Sequence, residues 1–183
     1  MEIEVKIRVE SLEELKKKIA EVGAVLVSER LFEDNFLLDF PGRILKNAGC
    51  ALRLRKTGGR TFLTFKGKPK EGERYKIVEE YETTIADGDA ALSIFKKLGL
   101  YAAFRYQKYR QEYRLDELHI LLDETPIGNF VEMEGRPEEI DQAASQLGFS
   151  SDAYITKSYP ILYAAYCREK GIESDAMVFA GEE

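Results

Sequence analysis

The opening segment Glu2-Ile3-Glu4-Val5-Lys6-Ile7-Arg8-Val9 alternates strictly between charged and apolar side chains. A period of two belongs to an extended strand, whose successive side chains point to opposite faces, and to no helix. The same alternation recurs along the chain. Arg53 and Arg55 share a face opposite Leu52 and Leu54, and Lys66 closes a segment whose apolar face is Leu63 and Phe65. Glu80 and Glu82 form another charged pair, as do Lys108 and Arg110. Asp123 follows Ile120 and Leu122, and Glu132 and Glu134 alternate with Val131 and Met133. One charged strand face is ordinarily a solvated face. Its repetition on most strands, beside amphipathic helices that need an apolar surface to cover, points the other way. If the helices cover the apolar faces from outside, the charged faces line the inside of a closed barrel. The expected architecture is therefore α+β: a closed eight-stranded antiparallel β-barrel with helices packed outside it, about the size that holds one small ligand.

The remaining segments fill in this outline. Extended stretches are predicted over residues 25–30, 33–39, 50–56, 60–66, 75–84, 101–115, 118–123 and 128–135, with Gly58-Gly59 as a hairpin turn. Ser11 with Glu14 reads as the capping box of a first helix, Asp87 as the cap of a second, and Pro137 as the first residue of a third. A final helix is predicted over 159–169, and residues 171–183 as a loosely packed tail beyond a single domain of residues 1–170.

Composition excludes several classes. The 183 residues carry 27 Lys plus Arg against 33 Asp plus Glu, a net charge of −6, so no overall field favours DNA or RNA and no nucleic-acid partner is expected. No apolar run approaches the roughly 20 residues of a membrane helix, and the acidic N-terminus does not read as a secretory signal. Cys50 and Cys167 lack a CxxC spacing and read as small hydrophobes of a reducing compartment; the expected location is the cytoplasm. With His119 as the single histidine, neither a His-based zinc site nor a Ser-His-Asp hydrolase is expected.

A charged interior must be paired, hydrated or bound to ligand. Arginines and lysines there suit a compact polyanion, with Arg offering forked donors to phosphate oxygens. Carboxylates beside them would repel such an anion unless hard cations intervened, which Mg²⁺ and Mn²⁺ do with one or two carboxylates plus phosphate oxygens. The chemistry implied is metal-assisted phosphoryl transfer on a polyphosphate.

Glu2-x-Glu4-x-Lys6 also resembles the ExExK signature of the CYTH superfamily, the triphosphate tunnel metalloenzymes. It is followed in the family's order by Arg53-Leu54-Arg55, Thr64-Phe65-Lys66, Glu80-Tyr81-Glu82, Lys108-Tyr109-Arg110, Asp123, the segment from Ile127-Gly128 to Glu132-Met133-Glu134, and Lys157-Ser158-Tyr159. The resemblance implies that Lys6, Arg53, Arg55, Lys66, Lys108, Arg110 and Lys157 hold a small-molecule triphosphate. It implies that Glu2, Glu4, Asp123, Glu132 and Glu134 hold one or two Mg²⁺ or Mn²⁺ ions, and it places Lys6, Glu80 and Glu82 at the catalytic step. Arg43 is a weaker candidate, and Arg8, Glu112 and Arg114 read as structural partners. Two reactions fit: hydrolysis of inorganic, nucleoside or thiamine triphosphate, and cyclisation of ATP to cyclic AMP as in class IV adenylyl cyclases. The Glu80/Glu82 pair suits the hydrolase branch. The Asp123 to Glu132 segment and Thr156-Lys157-Ser158-Tyr159 resemble cyclase-type and thiamine-triphosphatase-type members. A metal-dependent triphosphatase is the first expectation, the cyclase the second and a non-catalytic polyphosphate-binding module the third; a homodimer is compatible with all three.

Overall fold

The computed structural model describes residues 1–70 and 74–181. Alternating segments become strands β1 (Glu2–Val9), β2 (Val25–Asp39), β3 (Ala51–Thr57), β4 (Arg60–Lys66), β5 (Lys76–Val78), β6 (Glu80–Ile85), β7 (Tyr101–Leu115), β8 (Leu118–Thr125), β9 (Gly128–Glu134) and β10 (Ala176–Met177). Helices α1 (Leu12–Glu21), α2 (Ile44–Asn47), α3 (Gly88–Lys97), α4 (Pro137–Gln146) and α5 (Tyr159–Lys170) lie between and after them.

Nine strands follow one hydrogen-bonded path, β5-β1-β9-β8-β7-β2-β3-β4-β6, antiparallel at every step. The barrel is nearly closed, and the expected count of eight needs correcting. The segments predicted over 25–30 and 33–39 are one strand, β2, whose register against β7 shifts near Leu26, Ser28 and Leu31. The segment predicted over 75–84 divides at Glu79: β5 pairs with β1, β6 pairs with β4, and the two are not paired with each other. The ends of the path are thus consecutive pieces of chain, one residue apart. Gly67 N–H donates to the Glu79 carbonyl at 2.8 Å and Lys70 N–H to the Ile77 carbonyl at 3.0 Å, so the seam is partly stitched.

Local chemistry sets the element ends. Ser11 Oγ accepts from Glu14 N–H at α1, and Asp87 accepts from Asp89 and Ala90 N–H at α3. Glu139 caps back onto Arg136 N–H at α4. Gly58 and Gly59, at φ +53° and +73°, make the β3–β4 turn, a conformation that two side-chain-bearing residues would adopt only under strain.

Packing confirms that the apolar faces look outward under helices. Val5 and Ile7 of β1, Leu118, Ile120 and Leu122 of β8, and Val131 and Met133 of β9 meet Leu12, Leu15 and Ile19 of α1 and Ile140, Ala143, Ala144 and Leu147 of α4. On the far side Ala91 of α3 buries against Leu38, Leu54 and Leu100. At roughly 1.5–3 kcal/mol for each fully buried large side chain, these two layers hold the barrel wall from outside and leave its interior free for charge.

The tail is not loose over residues 171–181; residues 182 and 183 lie outside the described residues. β10 pairs in parallel with Arg105 and Tyr106 of β7, and Met177 is fully buried against Tyr106, Tyr163 and Cys167. The partner of β7 on that side, β8, begins pairing only at Tyr109, so β10 occupies the strand edge that is otherwise open. Both cysteines are free, Cys167 buried and Cys50 partly exposed. No helix among the described residues is long and apolar enough to cross a membrane.

Candidate active site

The barrel encloses a cavity of about 240 Å³ lined almost entirely by the inward faces of the alternating strands. Glu2, Glu4 and Lys6 come from β1, Arg53 and Arg55 from β3, and Lys66 from β4. Glu80 and Glu82 come from β6, Lys108 and Arg110 from β7, and Glu132 and Glu134 from β9. Period two puts each pair on one face, and the antiparallel register brings opposite charges side by side, with Lys6 directly across from Glu132.

Most of these charges are already paired. Lys6 Nζ lies 2.6 Å from Glu132, whose other oxygen accepts from Arg110 at 2.6 Å. Asp123, with no solvent exposure, accepts from Arg110 twice at 2.7 Å, from Lys108 at 2.8 Å and from the Tyr159 hydroxyl at 2.7 Å. Burial pushes the Glu132 carboxyl upward, but Lys6, Arg110 and Lys108 outweigh it and hold the group well below the usual carboxylate range. Burial likewise opposes the charge on Lys6, and Glu132 and Glu4 more than restore it. Further along, Arg55 bridges Glu33 at 3.1 Å and Glu82 at 3.3 Å, and Arg53 donates to Thr64 at 3.2 Å. Lys66 sits between Glu2 at 2.6 Å and Glu80 at 2.8 Å.

One group of carboxylates is different. Glu2, Glu4 and Glu134 each bring an oxygen to within 4.8 Å of the other two. Glu134 makes no ion pair within 4.0 Å among the described residues, and its carboxyl is pushed up by burial and by Glu4 and Glu132. Glu2 is raised to about 8, first by burial, then by a hydrogen bond with Glu80 and by its neighbours Glu4 and Glu134, with Lys66 opposing. Glu4 is held at about 2: burial works against its charge, and Lys6 and Lys76 overcome burial. Three converging oxygens, one from a half-buried carboxylate with no ion pair among the described residues, suit a hard divalent cation, so the residues present fit Mg²⁺ or Mn²⁺.

Glu2 gives a pH dependence with a definite sign. Its folded value of about 8 lies above the ordinary 4.5, so the folded protein holds a proton that the unfolded chain has released. The contribution of Glu2 to stability is therefore fully present below pH 4.5 and is lost as pH rises toward 8. A divalent cation bound at Glu2 would have to displace that proton. Apparent Mn²⁺ affinity is expected to rise by about tenfold per pH unit between pH 6 and 8 and to level above 8, as measured by titration of the protein at each pH.

Of the predicted phosphate-holding residues, Lys6, Arg53, Arg55, Lys66, Lys108 and Arg110 line the cavity together. Lys157 does not: it is exposed, and its successors Ser158, Tyr159 and Pro160 at the start of α5 face the cavity instead. The five predicted metal carboxylates divide. Glu2, Glu4 and Glu134 converge, whereas Asp123 and Glu132 are taken up by Lys6, Lys108, Arg110 and Tyr159. Arg43 caps α2 in the left-handed region at φ +56°, outside the lining. Arg8 donates to the Ile127 carbonyl and stacks on Phe130, and Glu112 pairs with His119.

Sequence reading missed Lys76, Glu33, Tyr106 and Tyr159. Lys76 could have been found, since it shares the face of Glu80 and Glu82 by alternation. Glu33 was masked by its neighbour Asp34, which faces outward to Arg105.

A nearly closed barrel that turns paired cations and a carboxylate cluster into its own interior is a charged tunnel. The CYTH domain family model matches residues 1–159, and the chain belongs to that family. It is 27% identical over 170 residues to a Methanocaldococcus jannaschii protein, MJ0240, whose name assigns it provisionally to the adenylate cyclases; the match covers 87% of this chain and 96% of that one. The PH1012 protein of Pyrococcus horikoshii is 28% identical, with a TM-score of 0.73 over 87% of this chain and 97% of its own. HpAC1 from Hippeastrum, described as a provisional adenylyl cyclase with a dominant triphosphatase activity, shares the fold at 19% identity, with a TM-score of 0.61 over 100% of this chain and 92% of its own.

Proposed function

We propose that this protein is a divalent-metal-dependent triphosphatase acting on a triphosphate held inside the barrel. The observation that carries the reading is one cavity combining seven inward cations with the Glu2–Glu4–Glu134 cluster. Lys6, Arg53, Arg55, Lys66, Lys108 and Arg110 bind the phosphate oxygens through N–H groups that point into the cavity. Their ion pairs fix the donors before substrate arrives, so little reorganisation accompanies charge development at phosphorus. Glu2, Glu4 and Glu134 are the residues that would hold a divalent cation, which when bound supplies Lewis-acid neutralisation of the phosphate charge. Glu80 and Glu82 face the same cavity and are the carboxylates placed to accept the proton of an attacking water. The water oxygen bonds to the terminal phosphorus, and the bridging P–O bond breaks to release orthophosphate and the corresponding diphosphate (inorganic diphosphate from tripolyphosphate, ADP from ATP).

Cavity size favours hydrolysis over cyclisation. About 240 Å³ lies below the roughly 300–1,000 Å³ of sites that engulf a whole drug-sized ligand. It suits a phosphate chain, with any nucleoside at or beyond the mouth. Attack at a terminal phosphorus needs no contact with the base, whereas cyclisation requires the ribose 3′-hydroxyl held in line with the α-phosphorus. The name of the M. jannaschii relative supports the second reading, an adenylyl cyclase. Incubation with tripolyphosphate and with ATP, each with Mn²⁺ or Mg²⁺, followed by chromatography separates the two. Phosphate release without cyclic AMP is expected. Cyclic AMP with diphosphate overturns the triphosphatase reading in favour of the cyclase, and no product from either substrate overturns both.

A further inference from the structure

Lys76 belongs to none of the sequence motifs, yet its side chain enters the cavity and ends on the carboxylate cluster. It stands on β5 directly across from Glu4 of β1, and its ammonium lies 2.5 Å from Glu4 Oε1. Its pairing differs from that of the other two cluster-side lysines. Lys6 is held by Glu132, and Lys66 is shared between Glu2 and Glu80, so each keeps a carboxylate outside the cluster. The ion pair of Lys76 is with Glu4, a member of the cluster itself.

We propose that Lys76 is the resident counter-ion of the Glu2–Glu4–Glu134 cluster, released from Glu4 when a divalent cation binds and turned onto a phosphate of the substrate. The inference rests on the metal-dependent reading above. Without a divalent cation, three carboxylates crowd within 4.8 Å, and Lys76 supplies positive charge where Glu134 has none. A doubly charged ion among the same oxygens repels an ammonium at hydrogen-bond distance from one of them, and at this range in a poorly solvated site that repulsion is strong. The ammonium can respond, because it is a point charge on a flexible four-carbon stem and its side chain already borders the cavity. The nearest favourable destination is the polyanion that the cation accompanies. Lys76 thus couples metal loading to substrate binding, each step improving the other by the same factor.

Mn²⁺ binding to the substrate-free protein, followed by the electron paramagnetic resonance of free Mn²⁺, tests this without any activity readout. Lys76→Met removes the competing charge at nearly constant volume and is expected to bind Mn²⁺ roughly tenfold more tightly than wild type, within the usual range of coupling between two sites. Lys76→Arg keeps the charge and is expected to bind Mn²⁺ as wild type does. The KM for tripolyphosphate should rise in Lys76→Met with a smaller change in kcat, since the phosphate contact is made in ground and transition states alike. Lys76→Gln is measured alongside and gives the same direction if Lys76→Met does not fold. Equal or weaker Mn²⁺ binding by the neutral variants, with wild type binding normally, overturns the counter-ion role alone and leaves Lys76 a structural partner of Glu4. Wild-type protein that binds no Mn²⁺ overturns the metal-dependent reading and this inference together.

Discussion

Asp123→Ala is expected to destabilise the protein by about 3–5 kcal/mol, the cost of leaving buried charges without their partner. Asp123 is completely enclosed and accepts four hydrogen bonds, two from Arg110 and one each from Lys108 and Tyr159. Removing the carboxylate strands two cations inside the barrel. Glu132 then answers for Arg110 and Lys6 alone, and Lys108 keeps only a 3.7 Å approach to Glu33. The change also unties α5, whose Tyr159 hydroxyl has Asp123 as its anchor in the barrel wall. Asp123→Asn separates charge from shape: it preserves the volume and one acceptor oxygen, so its loss should be smaller and fall mainly on the arginine. Urea unfolding of both variants reads the ordering. An Asp123→Ala protein as stable as wild type would mean that these cations find water instead, and that the enclosed network contributes nothing to folding.

This network also marks where sequence reading stops. Inward and outward faces were legible because alternation is a property of the strand itself. Glu2, Glu4, Lys6, Arg53, Arg55, Lys108 and Arg110 needed only a period of two to be placed inside. Which carboxylates remain free for a metal was not legible, because that depends on cross-barrel neighbours. Asp123 sits in register with Arg110, whereas Glu134 sits opposite Glu4 and His119, with no lysine or arginine across either ladder. The break at Glu79 was hidden for a similar reason. Alternation runs on through Val78 and Glu80 while the pairing partner changes from β1 to β4. β10 is two residues long, and its place is set by an open edge of β7 and a pocket for Met177, neither of which residues 171–183 encode by themselves. Lys157 is exposed, two positions before Tyr159. The chain enters α5 at Tyr159, so it is the tyrosine that reaches the interior.

The same distinction between satisfied and unsatisfied carboxylates gives Glu134→Gln two effects of opposite sign. Glutamine retains the shape and one oxygen but removes the charge that a divalent cation would use. Metal affinity and metal-dependent turnover are both expected to fall on the order of a hundredfold. The metal-free protein, however, should become more stable. Burial and the neighbouring carboxylates of Glu4 and Glu132 already press Glu134 toward its neutral form, and glutamine is neutral at every pH. The gain should grow as pH rises, since wild type must then ionise Glu134 against that pressure while the variant has nothing to ionise. Thermal melts at pH 6 and pH 8.5, with and without Mn²⁺, measure both effects on one pair of proteins. A residue placed for packing would lose stability in every condition. A metal ligand kept against the interest of the fold gains stability without the ion and loses the rise in melting temperature that the ion confers. If Glu134→Gln melts lower than wild type without metal and keeps the full Mn²⁺-induced shift, Glu134 is not a ligand and the cluster is not the metal site.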